Sequence, residues 1–283
     1  FGIEKTFNKV RFKSIHGFLL PFATNKFHFM NVVPEKNIAA HRLEIDLTSN
    51  FTTSVSEMVT YGGRRFEAEY LLPLNWFWGS EHNLGDRDNI LMAVDYSWRI
   101  KPGTIVYQTL LWDELDWAKL FKPWWGNKYV FQTGVYWVPF TNPKYPDFRV
   151  EWTASRPWVY THYDSLITYT SADIGIGFPE GPNSQLLYVE TNWWMSPQSL
   201  WRISYRHLVK GSGLGSNPTH NYNDRDSSLD ENTPPLLGET TVSNKIELRG
   251  TYRLSLMLEG FANISYQDQT SQATGQIGFV YNW

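Results

Sequence analysis

Apolar and polar residues alternate with a period of two along much of the chain, most plainly toward its end. Trp201, Ile203 and Tyr205 fall on one side of their segment, and Arg202, Ser204 and Arg206 on the other. Ile246, Leu248, Tyr252 and Leu254 oppose Lys245, Glu247, Arg249, Thr251 and Arg253, and Ile277, Phe279, Tyr281 and Trp283 oppose Gln276, Gly278 and Asn282. Upstream, Leu43, Ile45 and Leu47 oppose Arg42, Glu44 and Asp46, while Met92, Val94, Tyr96, Trp98 and Ile100 oppose Asp95, Ser97 and Arg99. Successive side chains of a strand point to opposite faces, so this pattern predicts strands with one apolar and one charged face. No run reaches the roughly 18 apolar residues of a membrane-spanning helix.

The alternation places about twelve strands, near 9–20, 40–49, 52–61, 89–101, 104–114, 127–139, 147–155, 185–196, 199–210, 243–254, 256–267 and 274–283. Long links near 21–39, 62–88, 115–126, 156–184 and 211–242, with a shorter one near 268–273, alternate with tight turns such as Ser49-Asn50, Pro102-Gly103 and Pro197-Gln198. A soluble sandwich also alternates along its strands. The rhythm of long and short links separates the two, because outer-membrane barrels have short periplasmic turns and long extracellular loops. The expected fold is therefore all-β: a single transmembrane antiparallel up-and-down β-barrel domain over 1–283, in a bacterial outer membrane, with every long loop outside.

Composition agrees with that expectation. Aromatic residues make up 17% of the 283, with 14 Trp and 16 Tyr, the residues that gather where a protein crosses a water–hydrocarbon boundary. A mean hydropathy of −0.40 is what strands with one lumen-facing side chain in two would average. The net charge of −3 carries no basic excess that would point to a nucleic-acid partner. The absence of cysteine excludes a disulfide framework, a zinc-thiolate site and a thiol nucleophile. The chain starts without a basic region leading to an apolar stretch, so it reads as processed or truncated.

Several ordered motifs are more specific. His41-Arg42-Leu43-Glu44-Ile45, Glu57, Tyr61-Gly62-Gly63-Arg64 and Tyr70-Leu71-Leu72-Pro73-Leu74-Asn75-Trp76-Phe77-Trp78 are followed by Glu81, Gly85-Asp86-Arg87-Asp88-Asn89, Asp95 and Leu110-Leu111-Trp112-Asp113-Glu114-Leu115. Glu151-Trp152-Thr153, Arg156, Tyr160, His162 and Gly181-Pro182-Asn183-Ser184 keep the order. From about residue 38 onward the chain resembles the capsule assembly Wzi family. The resemblance implies a larger outer-membrane barrel of about eighteen strands, lacking its N-terminal third here, and a non-enzymatic role in holding capsular or exopolysaccharide at the cell surface. It also implies an open or partner-completed barrel, with the missing N-terminal strands or other envelope proteins beside membrane lipids as partners. A channel or scaffold subunit of a larger envelope complex is the alternative.

Sugar faces are bound by aromatic rings flanked by carboxylates. The long loops offer Trp76, Trp78, Glu81, His82, Asp86 and Asp88; then Asp113, Glu114, Trp117, Trp124 and Trp125; then Trp158, Tyr160 and His162. The same aromatics could serve as an interfacial girdle or as loop packing. The lumen-lining set is Arg42, Glu44, Asp46, Arg99, Arg149, Glu151, Arg202, Arg206, Glu247, Arg249 and Arg253. Mixed signs on neighbouring strands predict cross-strand pairs that stiffen the interior, or a selectivity lining. Asp224, Asp226 and Asp230 are a weak Ca²⁺ candidate, since Leu229 stands where an EF-hand loop needs glycine. Ser14 and His16 share a strand face without a catalytic motif around them, so no cofactor and no enzymatic activity are expected.

Overall fold

Thirteen antiparallel strands pair in strict chain order in one meandering sheet in the computed structural model of the chain. The structure describes residues 1–281 apart from 23–32, 73–74, 76, 78, 80–84, 86, 115, 121, 140–144 and 256–257. The strands are β1 (Gly2–Phe7), β2 (Val10–Phe18), β3 (Lys36–Thr48), β4 (Phe51–Gly62), β5 (Asn89–Lys101), β6 (Thr104–Glu114), β7 (Lys128–Trp137) and β8 (Asp147–Ser155). A two-strand hairpin follows, β9 (Thr170–Ser171) with β10 (Ile174–Gly175), and stands apart from the main sheet. The sheet resumes with β11 (Ser184–Ser196), β12 (Ser199–Gly211), β13 (Thr240–Arg253), β14 (Leu258–Gln267) and β15 (Gln272–Tyr281). β1 and β15 form its two edges, so the sheet is open.

All twelve strands predicted from alternation fall on strands of this sheet, within a few residues at each end. β1 is a thirteenth. It returns through Asn8, at φ 52°, a left-handed conformation that asparagine tolerates better than most residues.

Register divides the sheet into two chemically distinct faces. Phe12, Leu43, Val55, Val94, Leu110 and Phe131 form one continuous cross-strand row from β2 to β7. Four of these side chains are 37–42% exposed, an apolar band left open among the described residues. The adjacent row, on the opposite face, runs Arg11, Glu44, Ser54, Asp95, Thr109 and Gln132. Near the short-turn end, exposed Trp98, Trp137, Trp193, Trp201 and Tyr252 stand on the apolar face.

Burial is concentrated at the long-loop end and differs between the faces. On the apolar face, Tyr70 of the short helix α1 (Ala68–Leu71) and Phe77 cover Ala39, Val59, Tyr61 and Ile90. On the charged face, Val159, Tyr160 and Tyr169 pack on Leu91 and Val130, with Ile38, Met58 and Leu111 around them. The segment 156–183 therefore lies across the charged face of β3–β7.

Candidate functional site

All eleven residues expected to line a lumen share the charged face through the strand register. They are not a loose ladder of charges. Arg42 donates to both oxygens of Asp95, at 2.6 and 2.9 Å, and reaches Glu44 at 3.1 Å. Arg11, which alternation alone did not single out, holds Asp46 with two bonds of 2.8 and 3.0 Å and also binds Glu44. Farther round, Arg149 bonds Tyr107 at 2.9 Å and pairs with Glu151, whose other donor is the Tyr107 hydroxyl at 2.8 Å. Asn192 links Asp147 to Glu190 and accepts from Arg202 at 2.9 Å. Each carboxylate in these groups is met by a cation or donor from another strand, the arrangement that makes half-exposed charges rigid.

The 156–183 segment is fastened to this wall on both sides. At one side, Thr60 and Asn89 both donate to the Ile167 carbonyl, at 2.6 and 3.1 Å, and the Lys36 ammonium reaches Thr170 Oγ1 at 3.1 Å. At the other, the Tyr160 amide donates to Asp113 at 2.6 Å, while Arg206 and Lys210 clasp Glu180. Trp158 and Tyr160 both take φ near 70°, a costly conformation for aromatic residues that persists only where packing enforces it. Gly215 supplies that packing: its carbonyl accepts from the Trp158 amide at 3.0 Å, and a Cβ there would stand 2.7 Å from the indole.

An asparagine recurs where chain returns from the long-loop end into the sheet. Asn37, Asn89, Asn127 and Asn183 are 0–3% exposed, and each side-chain amide donates to a loop carbonyl, of Arg64, Ile167, Lys119 and Lys122, and Leu237 respectively. Asn183 also accepts from the Leu237 amide at 2.7 Å and sits at φ 60°. Asn183→Ala is expected to destabilise the protein by about 2 kcal/mol, through two lost bonds and a left-handed alanine. Urea unfolding of the detergent-solubilised protein, read against the wild type, checks it.

Three long connections interlock. The Trp125 amide donates to the Asp230 carbonyl and the Thr233 amide to the Pro123 carbonyl, both within 2.9 Å. Asn221 donates to the Tyr163 carbonyl, and Lys119 pairs with Glu231. Lys128, 1% exposed, pairs with Glu114 at 2.7 Å and lies over the Tyr222 ring. Burial, helped by the Lys128 charge, lowers the His162 pKa to about 4, and its Nδ1 accepts from the Asp164 amide at 3.1 Å. Burial likewise raises the hydroxyls of Tyr169 and Tyr222 to about 12.

This packing changes the picture of the glycan candidates. Trp158 and Tyr160 are 2% exposed and His162 9%, so their rings face the interior of the loop layer and offer no surface to a sugar. Asp88 is buried against Arg64 and the Tyr70 hydroxyl, Asp113 holds a backbone amide and Glu114 holds Lys128. Trp124 and Trp125 are half-buried, with Trp125 stacked under the Arg225 guanidinium at 3.8 Å. Trp76, Trp78, Glu81, His82 and Asp86 lie outside the described residues, as does the side chain of Trp117. The Ca²⁺ candidate does not assemble: Asp226 caps a 3-10 turn at Ser228, Arg225 binds Asp230 through both oxygens, and no metal-ligating group is present among the described residues.

No protein-family model and no curated protein matches the sequence. Among solved structures, the chain is similar to the outer membrane protein OprD from Pseudomonas aeruginosa, with a TM-score of 0.50 and 9% identity over 99% of this chain and 67% of that one. A doubly substituted OccD1 (OprD) matches with the same TM-score and identity over 96% of this chain; the chain spans 63% of its length. The fold is that of an outer-membrane β-barrel. The apolar band is thus placed for the lipid of a bacterial outer membrane.

Proposed function

We propose that the chain lines the aqueous path of an outer-membrane channel, with 156–183 narrowing that path and the long loops outside the cell. The observation that carries this reading is the charged face itself: ion-pair networks spread over β2–β12, with a segment of the chain laid across them. These carboxylates and guanidiniums remain partly solvated and would act as a selectivity lining. No chemical step is assigned to the protein. Purified protein in planar bilayers is expected to give discrete conductance steps, and a persistently silent bilayer would overturn the reading.

The resemblance to the Wzi family supports a second reading, retention of capsular or exopolysaccharide at the cell surface. The interlocked loops favour it in one respect, since exposed Tyr163 meets Tyr222 edge-on and half-buried Trp124 and Trp125 stand near them. Deleting the gene should release polysaccharide into the medium. Unchanged cell-bound polysaccharide would count against it. In either case the unpaired backbone along β1 and β15 would cost several kcal/mol per group in lipid, so we take further strands or an envelope partner to cover those edges.

A further inference from the structure

A second feature of the charged face lies away from the folded-in segment, at the short-turn end of β12–β14. There a cavity of about 250 Å³ is lined by Arg202, Arg249, Arg253, Gln198, Thr251 and Glu259. Arg202 and Arg249 are direct cross-strand partners, and Arg253 lies on the same face of β13 as Arg249. Against these three guanidiniums the lining has one carboxylate, Glu259.

The state of the guanidiniums differs from that elsewhere on the wall. Arg11, Arg42, Arg149 and Arg206 are each committed to a carboxylate. Arg202 spends part of its fork on Asn192 and Glu190. Among the described residues Arg249 and Arg253 form no ion pair and no side-chain hydrogen bond. The Arg249 guanidinium lies over Phe261, 5.0 Å from the ring centre. With no carboxylate partner among the described residues, its N–H groups are left for planar oxyanions.

We propose that this cavity is a binding site for small solutes carrying two or more carboxylate or phosphate groups. On the backbone, neighbouring strands stand about 4.8 Å apart and residues four apart on one strand about 13 Å apart, yet all three side chains line the one cavity. A solute with more than one anionic group can engage cations from both strands at once. The inference rests on the channel reading, in which the site captures anionic solute at the short-turn mouth.

The test uses the purified protein in detergent at low salt, titrated calorimetrically with citrate and, separately, with pyrophosphate. At least one of the two should bind, with acetate weaker, and whichever binds more tightly names the preferred group. Arg249→Gln combined with Arg253→Gln should weaken that binding roughly tenfold or more, the loss expected for charge-assisted bonds, while Lys13→Gln on distant β2 should not change it. Absence of binding by both anions, or unchanged affinity in the double variant, overturns the site. Should the variant fail to fold, phenylglyoxal labelling of the native protein serves instead: citrate or pyrophosphate must protect Arg249 and Arg253, and lack of protection refutes the proposal. A silent bilayer with intact citrate or pyrophosphate binding overturns the channel reading alone; conductance without anion binding overturns the site alone.

Discussion

A protein in which residues 156–183 are replaced by a short Asn-Gly turn is expected to keep its sheet and to conduct several-fold more current than the intact chain. Ser155 and Ser184 are direct register partners on adjacent strands, so β8 and β11 are already placed for a tight hairpin, and Asn-Gly suits its type I′ geometry. What the replacement removes is the material on the charged face. Val159, Tyr160 and Tyr169 leave Leu91 and Val130, and Lys36, Thr60 and Asn89 lose their partners in the segment. In a closed soluble core those three losses would be severe, because each would strand a buried polar group. Here the vacated volume fills with water, which satisfies them. The sheet is held by its own ladders and by lipid on the apolar face, so heat-modifiable electrophoretic migration and the β circular-dichroism signal should persist. Conductance equal to that of the intact protein, from a variant that retains both signatures, would show that 156–183 does not narrow the path.

The contrast between wall and segment explains what was legible beforehand. Alternation at Leu43, Val55, Val94 and Leu110 reflects a simple demand, since lipid accepts only apolar side chains and water in the lumen tolerates the rest. That demand acts strand by strand and so leaves a local trace, which is why the strands and the residues sharing the charged face could be read from sequence. β1 offers only Ile3 and Phe7 as apolar positions and begins on glycine, too little for a period. The folded-in segment leaves no periodic trace at all. Its anchors join residues far apart, Lys36 to Thr170 across 134 positions and Thr60 to Ile167 across 107, and the buried ends are lysine, threonine and asparagine, which in sequence look like ordinary loop flanks. The loop aromatics were ambiguous for the same reason: Trp158 and Tyr160 have the composition of a sugar platform and the burial of a core. The recurring Asn37, Asn89, Asn127 and Asn183 were a usable signal. An asparagine at each of four returns into the sheet implies a repeated need for a donor that binds a carbonyl beside a strand, and hence loops folded down onto the strand ends.

Acid is expected to loosen the interlocked loops between pH 6.5 and about 4, through His162. The imidazole is buried among Tyr163, Tyr222 and the Lys128 ammonium, and with Nδ1 accepting from the Asp164 amide it is neutral in the closed arrangement. In the opened loops it regains an ordinary pKa of about 6.5; closed, the pKa is lowered to about 4. The open state therefore binds the proton more tightly. The closed state keeps its full advantage above pH 6.5, loses it progressively as the pH falls, and has lost about 3 kcal/mol by pH 4, after which this residue adds no further dependence. A carboxylate with a depressed pKa would also lose stability in acid, but at lower pH; burial lowers the pKa of His220 in the same loops as well, so a His162 variant is needed to separate the two imidazoles. His162→Asn offers a carbonyl close to the position of Nδ1 and cannot titrate, so it should hold the Asp164 amide and flatten the profile across that window. Hydrogen exchange of the peptides covering 156–183 and 212–239, corrected for the intrinsic pH dependence of exchange, measures the difference. Protection that falls equally in wild type and His162→Asn between pH 6.5 and 4 would place the acid sensitivity elsewhere, whereas a fall confined to the wild type assigns it to the imidazole held between Lys128 and Tyr222.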